Sequence, residues 1–397
     1  MSLDRELFYR HVAQTSDAPI GIEVARAEGI YMYTPEGKRY IDLISGVTVS
    51  NVGHSHPAVV EAVSRQTARY MHLMVYGEYV EAPQVRYAQL LSSLMPEGLD
   101  NVYFTNSGSE AVEGALKLAK RHTGRSETVC MRNAYHGSTH GALSLMGNES
   151  FRYAFRPLLP DVRAIRFGCE ADLDLITQRT ACVILDPLQC ENGLVKASSS
   201  YYAQLRQRCT EVGALLVFDE VQTAFGRTGS MLYAEQTEVV PDIVVLAKAL
   251  GGGMPLGAFI APTALMRDFT TNPPLGHITT FGGHPVSCAA GKAALEVLLN
   301  GGSPLWHEVQ RKGNLYVDAL RKHPCVRAVR SAGLFVAVDL ESEETYWRLL
   351  DRMRVNGLVT DSFLYKLNSF RIAPPLTISD EQIAESIELL LRSLDEM

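Results

Sequence analysis

From about residue 100 onward, short apolar runs alternate with segments of helical pattern, and each run ends in a polar or charged residue. The clearest runs are ACVILDPLQ, ALLVFDEVQ and DIVVLAKAL, and the segment SSSYYAQLRQRCTEVG between the first two has a helical pattern. Strands that alternate with helices predict a mostly parallel sheet that is covered on both faces. In such sheets ligands bind beyond the carboxyl ends of the strands, so the polar residues there are the candidate site.

Both ends of the chain predict a second layer. EGIYMYTPEGKRYIDLISG has the pattern of a hairpin with a Pro-Glu-Gly turn. Near the C-terminus, PCVRAVRSAGLFVAVDL predicts strands, ETYWRLLDRMRVNG predicts a helix, and SDEQIAESIELLLRSLDEM predicts a capped terminal helix. We expect the two ends to pack together as a separate α+β layer.

Composition argues against several classes of partner. The net charge of −7 provides no basic surface for nucleic acid. No apolar run approaches the roughly 18 residues that a membrane span needs, and the first residues, MSLDRELFYRH, lack the apolar stretch of a signal peptide. The seven cysteines are scattered, without a CxxC pair or zinc-like spacing, which favours reduced thiols, a cytoplasmic protein and no metal site.

Two charged residues end neighbouring runs. Asp219 follows the run ALLVF, and Lys248 comes 29 residues later, about one helix and one strand further along. In a parallel sheet this spacing places both residues at the same edge. Asp219 alone fits a helix cap or a solvated loop equally well, and a lone lysine at a strand end is often a surface residue. A desolvated lysine, however, has a lowered pKa and can form a Schiff base.

A third element is TNSGSEAVEG, where a strand turns into a helix. Backbone N–H groups and the helix dipole at Ser107, Gly108 and Ser109 favour a phosphate. The same residues also fit a capping box between Ser107 and Glu110, and no lysine follows the glycine as a Walker loop requires. A lysine for an imine, a carboxylate for a pyridine nitrogen and a phosphate cradle together match pyridoxal 5′-phosphate (PLP).

Longer motifs extend this interpretation: NVGHSHPAVVEAV, NSGSEAVEGALKLAKRHTGR, YHGST, DPLQCENG, FDEVQTAFGRTG, LAKALGGGMPLGA, TTFGGHPVSCAA and RIAPPLTIS. Over roughly residues 18–392 the chain resembles the class III aminotransferases of PLP fold type I, the acetylornithine, ornithine, 4-aminobutyrate and ω-amino acid group. The resemblance implies an α/β fold with a large, doubly wound, mostly parallel sheet domain of the seven-stranded type over residues 52–285. It also implies a smaller α+β domain built from residues 1–51 and 286–397.

The resemblance also implies roles for single residues. Lys248 would carry PLP as a Schiff base and move protons, and Asp219 would keep the ring nitrogen protonated. The phosphate would be held by Ser107, Gly108 and Ser109. The remaining cofactor residues would be Tyr135 stacked on one ring face, the adjoining and largely structural His136, Val221 on the other face, Gln222 near the ring hydroxyl, and Thr280 on the phosphate of the neighbouring subunit.

The role of Thr280 implies a homodimer with shared active sites. Arg371 would clamp a substrate carboxylate, for which a planar guanidinium fork is suited. Glu191 would pair with Arg371 when no dicarboxylate is bound. The loops SGVTVSN and MHLMVYGEY suggest Val47 and Tyr76 as lining residues.

The predicted activity is therefore transfer of an amino group, from an ω-amine or amino acid donor to a 2-oxo acid, by a ping-pong mechanism. Four positions depart from the family pattern: Ser138 stands where acetylornithine and ornithine enzymes carry an arginine, Asp186 replaces glutamate, Cys190 replaces glycine and His284 replaces asparagine. Alternatives are an aminomutase or a decarboxylase on the same fold, an acetylornithine or ornithine aminotransferase despite Ser138, and a binding protein that has lost activity.

Overall fold

The computed structural model describes residues 2–397, in which strands and helices alternate along most of the chain. The strands are β1 Arg26–Glu28, β2 Tyr31–Tyr33, β3 Arg39–Asp42, β4 Asn101–Thr105, β5 Glu127–Met131, β6 Val162–Ile165, β7 Thr180–Leu185, β8 Leu215–Asp219, β9 Ile243–Leu246, β10 Gly257–Ala261, β11 Ala328–Ala332, β12 Phe335–Asp339, β13 Leu358–Val359, β14 Ser362–Phe363 and β15 Lys366–Ile372. The helices are α1 Leu3–His11, α2 Ser45–Thr48, α3 Pro57–Arg69, α4 Ala82–Ser92, α5 Gly108–Thr123, α6 His140–Ser144, α7 Ser199–Val212, α8 Ala234–Thr237, α9 Thr263–Met266, α10 Pro285–Leu299, α11 Val309–Leu320, α12 Glu343–Val355 and α13 Asp380–Asp395.

The largest sheet confirms the predicted α/β class. Within residues 2–397 it has seven strands in the order β4-β10-β9-β8-β7-β5-β6. The strands from β9 to β6 run parallel to one another, and β10 runs antiparallel to both of its neighbours. Every residue of β5, β7 and β9 is buried, as expected of strands covered on both faces. Because β8 and β9 are parallel neighbours, Asp219 and Lys248 lie at the same edge.

The two chain ends share a second sheet, as predicted. The hairpin of β2 and β3 is antiparallel, and β13 from the C-terminal part pairs with β3 in parallel. A third sheet, in the order β11-β12-β15-β14, carries the remaining C-terminal strands. The terminal helix α13 begins with a complete capping box between Ser379 and Gln382. The division into domains at 51/52 and 285/286 stays a prediction.

Helix α5 packs closely on the sheet. A Cβ added at Gly114 would lie 2.3 Å from Cε1 of Phe259 on β10, so only glycine fits this approach. The helix ends at Gly124, whose φ of +66° gives a left-handed cap. This contact fixes the position of the N-terminus of α5 relative to the strand ends.

A buried arginine connects the two ends of the chain to the large sheet. The guanidinium of Arg227 donates to the carbonyls of Leu334 at 3.0 Å and Pro374 at 2.7 Å, and to Oδ1 of Asn51 at 2.6 Å. Burial lowers the pKa of Arg227 to about 9. Because each of these contacts joins a different segment, Arg227 fixes how the layers meet beside the site.

None of the helices in residues 2–397 combines the length and the hydropathy that crossing a bilayer requires. In the same residues, all seven cysteines are free thiols, and five of them are buried.

Candidate active site

A cavity of about 430 Å³ lies at the carboxyl ends of β8 and β9. This volume is typical of small-molecule sites. It brings together most of the cofactor residues expected from the sequence: Ser107, Gly108, Ser109, Tyr135, His136, Asp219, Val221, Gln222 and Lys248. The other residues of its wall are Val49, Asn106, Gly137, Asp186, Ala247, Gly253, Met254, Pro255 and Leu256.

Lys248 opens a short 3-10 turn directly after β9 and lines the cavity. Its φ of +51° is left-handed, a conformation that side-chain-bearing residues rarely adopt. Burial lowers the pKa of Lys248 to about 8, although the nearby Glu191 carboxylate opposes this shift. Near neutral pH, Lys248 is therefore present as the unprotonated amine, which can act as a nucleophile or a base, more often than an ordinary lysine is.

Asp219 ends β8 and is held by two donors. Its Oδ2 lies 2.7 Å from Nδ1 of the buried His136, and its Oδ1 accepts from the backbone N–H of Val221 at 3.1 Å. Oδ1 of Asp186 lies 4.0 Å from the same histidine nitrogen. Burial opposes a charge on His136, but the two carboxylates raise its pKa. Burial raises the pKa of Asp186 to about 7. The two acidic side chains thus face the same histidine on one wall of the cavity.

The N-terminus of the 16-residue helix α5 forms another wall. The Ser107 hydroxyl accepts from the N–H of Glu110 at 3.2 Å, but the Glu110 carboxylate accepts from the N–H of Asn106 instead of completing a capping box. A Cβ at Gly108 would lie 3.3 Å from a methyl group of Val221. The first backbone N–H groups of this helix therefore remain available to an anion in the cavity.

These groups fit PLP. The cavity offers an amine, a buried carboxylate and a helix N-terminus suited to a phosphate. Within residues 2–397, Oε1 of Gln222 and Nε2 of His136 are buried without a hydrogen-bond partner. Such orphaned polar atoms are costly unless a bound group satisfies them. Lys248, Asp219, Gln222 and the start of α5 are the residues that would hold the cofactor.

Arg371 and Glu191 form a buried bidentate ion pair next to the cavity. The two terminal nitrogens of the guanidinium donate to the two oxygens of Glu191 at 3.2 and 3.0 Å, and Nε donates to the carbonyl of Ser362 at 3.0 Å. Glu191 also accepts from Nε2 of Gln222 at 3.0 Å and from the N–H of Leu364 at 3.1 Å. Burial alone would raise the pKa of Glu191, but Arg371 lowers it to about 2. An external carboxylate could therefore reach both terminal nitrogens of Arg371 only by displacing Glu191.

Within residues 2–397, three residues that were expected at the site lie outside the cavity wall. Val47 is not in the cavity wall, whereas its neighbour Val49 is. Tyr76 lines a separate cavity of about 760 Å³ together with Thr279. Thr280 is exposed and lines neither cavity. The role of Thr280 involves a neighbouring subunit and, like the lining roles of Val47 and Tyr76, stays a prediction.

Several wall residues were not singled out from the sequence as site residues. Met254, Pro255 and Leu256 follow the glycines after Lys248, and this proximity is a signal that could have identified them. Asp186 was noted only as a departure from the family pattern. Asp186 directly follows β7, and the parallel pairing of β7 with β8 places it next to Asp219, to which His136 is bound.

Comparison with known proteins identifies the same family that the sequence motifs resemble. The family model for class III aminotransferases matches residues 12–394. Acetylornithine aminotransferase of Methanopyrus kandleri is 37% identical over 375 residues, which cover 94% of each chain. A solved transaminase of the marine bacterium Virgibacillus superimposes with a TM-score of 0.91, is 25% identical and covers 99% of this chain and 98% of its own. Ornithine aminotransferase of Toxoplasma gondii, solved with PLP at partial occupancy, has a TM-score of 0.89, is 26% identical and covers 98% and 93% of the two chains.

Proposed function

Because this chain belongs to the class III aminotransferases, we propose that it moves an amino group from an ω-amine or ω-amino acid donor to a 2-oxo acid bound at Arg371. The chain is a PLP-dependent aminotransferase of fold type I. The observation that carries the choice of substrate is the charge of the site. Among residues 2–397, Lys248 is the only lysine or arginine in the cavity wall.

When bound, PLP links covalently to an amine and withdraws electrons from the carbon that carries it. We assign Nζ of Lys248 as the base that takes a proton from that carbon and returns it in the reverse direction. Its lowered pKa suits this role, since a general base works best when its pKa is close to the operating pH. The Asp219 carboxylate would hold a proton on the ring nitrogen, and His136 would keep that carboxylate oriented.

The acceptor carboxylate would replace Glu191 on Arg371. Both are planar anions that accept two parallel N–H bonds from a guanidinium, so the exchange conserves the number of charge-assisted bonds. Glu191 would leave only for a ligand that offers the same geometry. A donor that has no carboxylate to place at Arg371 would bind while Glu191 is still paired with the arginine.

Ser138 argues against donors with a second carboxylate at its position. Its hydroxyl lies 3.4 Å from that of Tyr135, and it cannot replace a guanidinium fork. The second candidate function is an acetylornithine aminotransferase, because the curated relative with 37% identity carries that name.

We further propose a homodimer in which Tyr76 and Thr280 reach the site of the partner. The segment around Thr280 supports this proposal, since Leu275, Ile278 and Phe281 are each at least half exposed. Sedimentation equilibrium of the wild type and of Phe281→Glu tests the dimer, and a monomeric wild type with full activity would contradict it.

The large domain would span residues 52–285 and the small domain residues 1–51 and 286–397. The free thiols favour a cytoplasmic protein.

A panel of amine donors, each run against pyruvate and against 2-oxoglutarate, tests the proposed substrates. We expect ω-amines and ω-amino acids to exceed N-acetylornithine in kcat/KM, and parallel double-reciprocal plots. A strong preference for N-acetylornithine would establish the second candidate. Carbon dioxide release, or turnover without any 2-oxo acid, would contradict the transfer reaction.

A further inference from the structure

Helix α2 is a turn of left-handed backbone next to the site. The φ angle is +53° at Ser45, +60° at Gly46, +62° at Val47 and +63° at Thr48. Left-handed backbone is unfavourable for residues with a Cβ and most unfavourable for β-branched ones, such as Val47 and Thr48. Strained backbone of this kind persists only where the surrounding structure determines it.

The group that holds this turn is the carboxylate of Asp42, which is only 2% exposed. Its Oδ1 accepts from the N–H groups of Ile44 at 2.8 Å and Ser45 at 2.9 Å. Its Oδ2 lies 2.8 Å from Nε2 of His54. One oxygen therefore fixes the first two amides of the turn, and the other fixes the carboxylate itself.

On one side, the turn and the preceding Leu43 are hydrogen-bonded to Ala373, close to Arg371. The Ser45 hydroxyl donates to the carbonyl of Ala373 at 2.8 Å, and the N–H of Ala373 donates to the carbonyl of Leu43 at 2.7 Å. Ala373 lies two residues beyond Arg371. A shift of the turn would therefore move the strand end that carries the arginine.

On its other side the turn packs against residues 248–251, the segment that begins with Lys248. Val49, whose N–H donates to the carbonyl of Ser45 at 2.8 Å, lines the cavity. The turn thus connects the residue proposed to react with the amine to the residue proposed to bind the carboxylate.

We propose that Asp42 is a positioning residue for substrate binding, which sets the separation of Lys248 and Arg371 by holding the strained turn. This inference rests on the proposed function, since it uses Arg371 as the carboxylate site. Without the Asp42 carboxylate the turn relaxes to an ordinary backbone, Ser45 leaves Ala373, and Arg371 loses its alignment. Substrate binding weakens, while the chemistry at Lys248 continues.

The test compares PLP-loaded wild type with three variants and one control. Asp42→Ala removes the acceptor, Asp42→Asn retains Oδ1 as an acceptor, and Ser45→Ala removes only the bond to Ala373. The control is Asp100→Ala, because Asp100 also caps a backbone amide, that of Thr263 at 2.7 Å, but at an exposed position away from the site.

Three readouts separate positioning from general damage. Propionate, an unreactive carboxylate, is titrated against the cofactor absorbance, hydrogen exchange is followed at the amides of Ile44 and Ser45, and steady-state kinetics give the pyruvate KM and kcat. For Asp42→Ala we expect faster exchange at both amides, a propionate Kd and a pyruvate KM raised about tenfold or more, and a kcat within about threefold of wild type. Ser45→Ala should raise Kd and KM without loss of kcat, while Asp42→Asn and Asp100→Ala should remain close to wild type.

Folded and loaded Asp42→Ala and Ser45→Ala with wild-type Kd and KM would overturn the inference. Impairment of Asp42→Asn equal to that of Asp42→Ala would also overturn it, because the charge opposite His54 would then matter instead of the amide contacts. If Asp42→Ala does not fold, the test rests on Ser45→Ala. A propionate Kd of Ser45→Ala equal to that of the wild type would then overturn the inference. A wild type that does not bind propionate, but does bind PLP, would instead refute the proposed use of Arg371.

Discussion

Oδ2 of Asp219 lies 2.7 Å from Nδ1 of His136, and the other ring nitrogen of that histidine is buried without a partner in residues 2–397. The contact joins two residues that are 83 positions apart and fixes a carboxylate on the wall of the Lys248 cavity. It is the basis for assigning Asp219 to the ring nitrogen of PLP.

The adjacent acids Asp219 and Glu220 should respond differently to loss of charge. Glu220 is buried away from the cavity wall and accepts from the N–H groups of Tyr233 and Ala234, so its role is structural. We expect Asp219→Asn to lower kcat by about 10²-fold or more. Glu220→Gln should lower thermal stability but retain kcat in the folded fraction. Steady-state kinetics and calorimetry check both, and equal losses of kcat would contradict the assignment.

The lowered pKa of Lys248 should be visible in the pH dependence of stability of the cofactor-free protein. The folded-state value of about 8 lies below the ordinary value of 10.5, so the unfolded chain binds more protons between these pH values. Wild-type stability should therefore gain a contribution as pH rises from about 8 to 10.5. Lys248→Met should be more stable near pH 7, by on the order of 1–3 kcal/mol, and the difference should shrink at high pH. Urea unfolding at several pH values measures this, and a constant difference would argue against a desolvated lysine.

Arg371 and Glu191 should have opposite effects on carboxylate binding. Arg371→Lys loses the bidentate fork, which should raise the KM for the 2-oxo acid by about 30-fold or more. Glu191→Gln keeps a hydrogen-bonding side chain but removes the competing charge, so the KM should fall. The KM for a donor amine that lacks a carboxylate should change little in either variant. A lower 2-oxo acid KM in Arg371→Lys would be incompatible with the proposed clamp.

Position 138 should control the response to a second carboxylate. Introducing a guanidinium with Ser138→Arg should raise kcat/KM for N-acetylornithine, or for 2-oxoglutarate relative to pyruvate, by about tenfold or more. Ser138→Lys is the matched control, because it adds the charge without the planar fork. Equal gains in the two variants would mean that charge alone, and not bidentate binding, limits these substrates.

The sequence predicted best those features that depend on local periodicity. The spacing of Asp219 and Lys248 and the apolar runs before them were sufficient to place both at one sheet edge, because parallel strands align their ends. The pairing of Arg371 with Glu191, 180 residues apart, was available only from family resemblance, since neither periodicity nor composition encodes it.

Other features could not be predicted because tertiary contacts override local preference. Val47 and Thr48 are β-branched residues that favour extended backbone, yet the Asp42 carboxylate holds the turn they belong to in a left-handed conformation. Asp42 was therefore not singled out from the sequence. Tyr76 and Thr280 lie outside the cavity, and the sequence carries no periodic signal that places such loop residues relative to it.

The most direct test is to find where PLP becomes attached. The loaded wild type is reduced with borohydride, digested and analysed by mass spectrometry, with Lys248→Ala and the surface variant Lys292→Ala treated in parallel. The account predicts that the cofactor mass lies on the peptide containing Lys248, is absent from Lys248→Ala and is retained in Lys292→Ala. Attachment to another lysine, or unchanged transamination by Lys248→Ala, would contradict it.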